Sequence, residues 1–407
     1  MTTLVVRLFA LFNPKLKLFI NGRKNVFEIL QKQLEPTDHV IWFHAASLGE
    51  FEQGLPVMEG VKSNFPNHKI LVTFFSPSGY EIRKNHPLPD VITYLPLDSL
   101  KNARKFIQLT KPSIAVFIKY EFWPNFLHVL AKEQTPVIAI ASIFRKNQIF
   151  FKSYGAFMRK AIKTVDHFFV QDSDSQLLLE SIGIKDTSLS GDTRFDRVSE
   201  IVERDNSLDF IAQFKQDFLC IVAGSTWPED EAALIEYINQ SDANLKFIIA
   251  PHTIKPEKIQ KLAAQISRQS VLYSQMNSSD VKNAQVYIVD TIGLLTKIYS
   301  YADIAYVGGG MGKTGLHNTL EPAVFGIPVL IGSNYQKFKE ARDLVALGGI
   351  LTINNSEELI KELKELVTNK KKRDATGKIN HDYITQNKGA KVQILDYIRT
   401  LLETKTI

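Results

Sequence analysis

Short apolar runs recur along this chain, separated by longer stretches in which apolar positions return every three or four residues. The runs at 40–43, 70–74, 92–94, 114–118, 137–140 and 167–170 are rich in β-branched and aromatic residues. Runs of that length and type suit strands covered on both faces. The stretches between them carry a helical period: Phe51, Leu55, Met58 and Val61 stand at i, i+4, i+7 and i+10, one face of a helix. Strict alternation of the two patterns predicts βαβ units on a parallel sheet. A second series follows at 219–223, 246–250, 286–289, 304–307 and 329–331, and the polar segment from about Asp196 to Asp209 is the expected connection. The fold class is therefore α/β, with two doubly wound, Rossmann-like domains. Such domains facing one another place a ligand cleft between the carboxyl ends of their strands. No repeat has a solenoid period, no long low-complexity tract interrupts the chain, and the lysine run at 370–373 suits a solvated helix end.

Composition narrows the partners without naming one. With 407 residues, 44% of them hydrophobic and 23% charged, the chain can bury two ample cores. A net charge of +6 suits an anionic partner such as a nucleotide, a phosphorylated lipid or a membrane surface. Nothing in the pattern calls for nucleic acid. The single cysteine, Cys220, lies in an apolar run and reads as a buried thiol, and with no disulfide framework the chain suits a reducing compartment.

Residues 1–22 place Leu4, Val5, Val6, Leu8, Phe9, Leu11 and Phe12 around Arg7, followed by Lys15 and Lys17. The stretch is too short to span a bilayer, Pro14 breaks it, and no small-residue cleavage site follows. It is either a basic amphipathic segment resting at a membrane interface or a first helix packed on its own domain.

The chemistry gathers around residues 306–331: an apolar strand, a glycine-rich loop, a short helix and a second strand. Glycines 308, 309, 310, 312 and 315 are expected to let backbone amides approach a phosphate, and the helix opening near Asn318 to point its positive end at the same space. Glu321 falls in that helix's first turn, where a carboxylate suits the dipole or accepts hydrogen bonds from ribose hydroxyls. Gly312-Lys313-Thr314 imitates the end of a Walker loop, but that motif needs glycine where Val307 stands, which sets a P-loop aside.

Four other loops fall at strand ends. In His44-Ala-Ala-Ser-Leu-Gly-Glu50, the Ser47 and Glu50 spacing is that of a capping box, while a carboxylate at that place can also serve as a general base. Ser76-Pro-Ser-Gly79 offers hydroxyls and amides to an anion or simply starts a helix. Glu121, in Lys119-Tyr-Glu-Phe-Trp-Pro-Asn125, sits at a strand's carboxyl end, where charge is better placed for ligand contact than for packing. Gly224-Ser-Thr-Trp-Pro-Glu-Asp-Glu231 makes a comparable turn in the second series.

In this order and spacing these segments, with Tyr94-Leu-Pro-Leu-Asp98 and Gly191-Asp-Thr-Arg-Phe-Asp196, resemble the Kdo transferases, which move 3-deoxy-D-manno-octulosonate (Kdo) from its CMP-activated form onto lipid A precursors. The resemblance runs over nearly the whole chain. It implies the glycosyltransferase-B fold: an interfacial segment 1–22, an acceptor domain 23–203 and a CMP-Kdo domain 204–407 with closing C-terminal helices. It places Glu50 on the family's catalytic base and Ser76, Ser78, Gly79 and Glu121 on the acceptor side. Asn318, Thr319, Leu320 and Glu321, with Gly310, match the CMP-binding segment. Pro251 and His252, and Gly293, Leu294 and Leu295, lie where the family has two further CMP contacts, although His252 and Leu294 depart from its usual Arg and Glu. Lys119 and Trp227 likewise replace a usual acid and a usual histidine. The implied reaction is a single inverting displacement with CMP-Kdo as donor, no resident cofactor and no bound metal, performed by a peripheral protein at the cytoplasmic face of the bacterial inner membrane. A sugar-nucleotide epimerase of the same architecture, or a non-catalytic nucleotide- or lipid-binding module, are the alternative readings.

Overall fold

The computed structural model describes residues 14–278 and 281–404. They form two units, one of residues up to 197 together with those from 388 onward, the other of residues 198–387. The first unit holds seven parallel strands, β1 (His39–Ala45), β2 (His68–Phe74), β3 (Val91–Tyr94), β4 (Pro112–Ile118), β5 (Val137–Ser142), β6 (His167–Val170) and β7 (Thr187–Leu189), in the order β3-β2-β1-β4-β5-β6-β7. The second holds β8 (Leu219–Thr226), β9 (Leu245–Pro251), β10 (Ser270–Leu272), β11 (Val286–Ile288), β12 (Ile304–Val307), β13 (Val329–Gly332) and β14 (Ile350–Ile353), in the order β10-β11-β9-β8-β12-β13-β14. Both sheets are doubly wound, and the fold class expected from the alternation is the one observed.

The strand order reverses between β1 and β4 in the first unit and between β8 and β12 in the second, where β10 and β11 also stand out of sequence at the edge. At such a point the two loops leaving neighbouring strands diverge to opposite faces and open a crevice at the carboxyl edge. The four loops concerned are those that carry Glu50, Glu121, Trp227 and the glycine-rich run. Two of the six non-glycine residues with left-handed φ among the described residues lie there, Lys119 at 67° and Ser225 at 54°, at the ends of β4 and β8. Non-glycine residues held so are characteristic of sites whose geometry the surroundings impose.

The structure differs from expectation at the sheet edges and at the boundary. Strands β7, β10 and β14 were not predicted, being outermost and three or four residues long, with too few buried positions to leave an apolar run. The boundary expected at 203/204 falls at 197/198. Nor do all the C-terminal helices stay with the second unit. Ser356–Thr368 and Lys370–Asn387 do, but the last helix, Ala390–Thr404, belongs to the first. Its Ile394, Leu395 and Ile398 enter the core formed with Val57, Met58 and Val61 of the helix Leu48–Asn64. Its start is tied down by Asp196, whose carboxylate accepts hydrogen bonds from the Gly389 and Lys391 amides at 2.8 and 3.2 Å.

The segment assigned to 1–22 lies partly outside the described residues, including the apolar positions 4–12. Its described part is the helix Pro14–Asn21, where Phe19 meets Phe75 edge to face at 5.2 Å and the Arg23 guanidinium lies 3.7 Å over the Phe19 ring. Among the described residues no helix is long and apolar enough to cross a membrane.

Candidate functional site

At the end of β1 the chain turns through Ala46 and Ser47 into the helix Leu48–Asn64, and Glu50 occupies its first turn, buried. Its Oε2 accepts hydrogen bonds from the Ser47 amide (2.6 Å) and hydroxyl (3.0 Å), so the cap read from the Ser-x-x-Glu spacing is present. Oε1 has no protein partner among the described residues. Glu121, half-buried after β4, has its carboxyl pushed above the usual range by burial and then by the negative charge of Glu50. Two carboxylates therefore lie within electrostatic reach of each other, one anchored by the helix start and the other raised by burial and by that neighbour. The Ser76–Gly79 turn abuts the same loop, since the Ser76 amide donates to the Ala46 carbonyl at 2.7 Å. There Ser76 and Ser78 pair hydroxyl to hydroxyl at 2.8 Å.

A buried relay fixes the loop that follows β4. The Trp123 indole donates to His44 Nε2 at 2.9 Å, and an indole N–H can only donate, so Nε2 is unprotonated. His44 Nδ1 then carries the proton and donates to Thr73 Oγ1 at 2.9 Å, which also accepts from the Trp42 indole at 2.8 Å. Burial, helped by the charge of Arg23 and opposed by the Thr73 hydrogen bond, pushes His44 down to about 3. A histidine so depressed contributes stability that is complete above its unfolded value near 6.5 and is lost as pH falls toward 3, by about 1.4 kcal/mol per pH unit. Between pH 7 and pH 5 the wild type should thus lose about 2 kcal/mol more than His44→Gln does. Urea titrations of both proteins check this, and equal losses would mean that the ring is not held neutral.

Helix Leu48–Asn64 is clamped from the far end of the unit. Buried Asp192 accepts from Gln53 Nε2 at 3.0 Å and from Arg194 Nε at 2.9 Å, and the Thr193 hydroxyl donates to the Gln53 carbonyl. Burial would raise the Asp192 carboxyl, but Arg194 and the Gln53 amide more than offset it and hold it below the usual range. Arg197 pairs with Glu52 on the same helix. The run Gly191 to Asp196 therefore sets where Glu50 stands rather than touching a ligand space itself.

In the second unit the CMP-assigned segments converge. Asn318 Nδ2 donates to Glu321 Oε1 at 3.1 Å and its Oδ1 accepts from the Leu320 amide at 3.1 Å. Thr296, next to Leu295, donates to Glu321 Oε2 at 3.3 Å, which brings Gly293, Leu294 and Leu295 beside the Asn318–Glu321 turn. The expected helix is a single turn, Leu320–Ala323, so it supplies no extended dipole. Leu320 and Pro251 are buried, and only their backbone faces this edge; Thr319 is 1% exposed and its hydroxyl has no protein partner, while Asn318 and His252 are exposed. The His252 ring stacks on Trp227 at 4.6 Å and meets His317 at 4.5 Å with the planes tilted by 34°, and the Trp227 indole donates to His317 Nε2 at 3.1 Å.

The glycines of the loop do something other than expected. A side chain at Gly308 would run into the Ser225 carbonyl, Thr226 Cα and Asp230, and one at Gly310 into the backbone of Gly332. These positions admit neighbouring strands of the protein itself. Gly315, with φ at 98° and open space where a Cβ would stand, is required by its backbone conformation and not by a neighbour. Sequence reasoning also passed over Asp230, which is wholly buried. Its carboxylate accepts from the Trp227 amide (2.9 Å), the Gly309 amide (2.8 Å) and the Tyr306 hydroxyl (2.6 Å), stapling the β8 loop to the glycine-rich loop. The signal was present in Trp-Pro-Glu-Asp, a helix start with proline at its first position and an acid at its third.

Two larger grooves, about 990 and 610 Å³, flank the helix Leu100–Thr110 of the first unit and include none of the candidate residues. Among the described residues no group of three or more His, Cys, Asp or Glu side chains could hold a metal ion.

Residues 22–197 match the family model of the 3-deoxy-D-manno-octulosonic-acid transferases (kdotransferases). Over 382 residues the chain is 28% identical to the 3-deoxy-D-manno-octulosonic acid transferase of Haemophilus influenzae, covering 90% of this chain and 88% of that one. It is 27% identical over 356 residues to the enzyme of the same name from Aquifex aeolicus, covering 85% and 92%. Among solved structures, the UDP-GlcNAc 2-epimerase of Neisseria meningitidis superposes with a TM-score of 0.61 at 15% identity, covering 89% of this chain and all of that one, a likeness of fold.

Proposed function

We propose that this chain is a 3-deoxy-D-manno-octulosonic-acid transferase, a glycosyltransferase that moves Kdo from CMP-Kdo to a lipid A precursor in lipopolysaccharide biosynthesis. The observation that carries the reading is the state of Glu50: buried, anchored through Oε2 alone, with Oε1 unengaged beside Glu121. A carboxylate so placed is oriented through one oxygen while the other has no protein partner among the described residues. In the reaction it accepts the proton of the acceptor hydroxyl as that oxygen attacks the anomeric carbon, and the bond to the CMP phosphate breaks in the same step, inverting the centre. Glu121, Ser76, Ser78 and the Gly79 amide orient the acceptor. The nucleotide sits on the second unit, its ribose hydroxyls at Glu321 and Asn318, with the Thr319 hydroxyl and the backbone of Pro251, Leu295 and Gly310 completing the seat.

The acceptor is an amphiphile. Each buried methylene is worth about 0.8 kcal/mol, so lifting several acyl chains out of a bilayer would cost more than a binding site returns, and the enzyme comes to the cytoplasmic face of the inner membrane as a peripheral protein. Incubating the purified protein with CMP-Kdo, with and without a lipid A precursor, tests the assignment. Acceptor-dependent release of CMP with a Kdo-sized mass gain on the lipid is expected. Acceptor-independent isomerisation of a sugar nucleotide, or binding with no turnover, would overturn it.

A further inference from the structure

Three rings from three adjacent strand ends meet at the carboxyl edge of the second unit: Trp227 after β8, His252 after β9 and His317 in the loop after β12. Their arrangement differs from ordinary packing in one respect, the hydrogen bond from the Trp227 indole to His317 Nε2 at 3.1 Å. Because the indole has a proton to give and no lone pair to accept with, that nitrogen of His317 must be bare. A neutral imidazole carries one proton, which is left to Nδ1. One face of the ring is covered by His252 at 4.5 Å, and its Cδ2 corner lies toward Gly309. The Nδ1 edge has no partner among the described residues, and the ring is half-buried.

We propose that Trp227 is a positioning residue for His317, holding it in the Nδ1–H tautomer so that the ring offers one fixed N–H donor to an anionic oxygen of the nucleotide sugar. The donor stands one residue before Asn318, on the loop that the nucleotide reading gives to CMP-Kdo, and an anionic phosphate oxygen is the acceptor that a fixed N–H suits. Burial and then the neighbouring His252 keep His317 below the usual histidine range, against the opposing charge of Asp230. The groups that face it are those three: His252 on its face, Trp227 at Nε2 and Asp230 beneath the loop. His317 therefore serves as a hydrogen-bond donor that keeps its proton and not as an acid that gives it up. In free solution imidazole favours the other tautomer, so the indole contact is what selects this one.

The proposal rests on the nucleotide reading of the second unit, and the test separates the two. Protein labelled with ¹⁵N-histidine, with His317→Phe to assign the signal, reports the His317 tautomer without any ligand. Wild type is expected to show a protonated Nδ1 and a bare Nε2. Trp227→Phe, which keeps the stack and removes the donor, should shift the signal toward Nε2–H. Calorimetry with CMP should then show affinity lower by about three- to tenfold, less than one hydrogen bond to a charged oxygen is worth because the released ring can still turn to the donating tautomer. The KM for CMP-Kdo should rise by a similar factor with kcat less affected. An unchanged tautomer in Trp227→Phe overturns the positioning role, and a shifted tautomer with unchanged CMP affinity overturns the ligand contact. His317→Phe must lose at least as much affinity, and this decides the second point if Trp227→Phe does not fold. Should wild type bind no CMP at all, the nucleotide reading falls, while the tautomer still decides the role of Trp227.

Discussion

Glu50→Gln is expected to fold and melt like the wild type while transfer falls by about 10²–10⁴-fold, the loss that follows removal of a general base. The amide carbonyl can take over the Ser47 hydrogen bonds that Oε2 now accepts, so the helix start survives. What the amide cannot do is take a proton from an attacking hydroxyl. The exchange has a second signature. Glu121 is raised by burial and then by the charge on Glu50, and a neutral neighbour removes the latter contribution, so Glu121 should titrate lower in the variant. Thermal melting, single-turnover kinetics and carboxyl titration by NMR check the three parts. A collapsed melting temperature with nearly normal turnover of the folded fraction would leave Glu50 as a cap and nothing more.

The largest loss of stability is expected from Asp230→Ala. Its carboxylate satisfies the part-buried Trp227 amide, the buried Gly309 amide and the buried Tyr306 hydroxyl, and the alanine leaves all three donors unmatched. Each orphaned donor costs about 1–3 kcal/mol, so a total of about 4 kcal/mol or more is expected. For a unit of this size that lowers the melting transition by roughly 10 °C. The Gly309 amide and the Trp227 amide belong to the two loops that the nucleotide would occupy, so CMP affinity should fall with stability. Asp230→Asn, which retains an acceptor oxygen, should recover part of both. Denaturant unfolding of the three proteins decides, and a loss below about 1 kcal/mol in Asp230→Ala would mean that the loops hold each other without it.

The sequence was most informative where burial is complete on both faces. The central strands β1, β2, β4, β5, β8, β9 and β12 leave unbroken apolar runs because both sides of each are covered, whereas β7, β10 and β14 are half-exposed edges that leave none. Helix Ala390–Thr404 announced an apolar face in Ile394, Leu395 and Ile398, but a stripe says that something is covered and not what it covers. The candidate site was legible as loops, because chemistry in doubly wound sheets falls at strand ends. Its internal wiring was not. Gly308 and a ligand-facing glycine look alike in one dimension; only the carbonyl of Ser225 beside it tells them apart. Asp230 and His44 escaped notice for the same reason, since their partners are backbone amides and side chains distant along the chain.

The return of the last helix to the first unit sets an order of events on the ribosome. Domains emerging from synthesis ordinarily close in turn, the leading one first. Here the surface of Leu48–Asn64 that Ile394, Leu395 and Ile398 cover stays bare while about 330 further residues are made. The second unit, continuous in the chain, can be complete before the first has its final layer. The segment bearing Glu50 is thus among the earliest to leave the exit tunnel and among the last to be enclosed, so that a chain released early carries a finished second unit and an unfinished first.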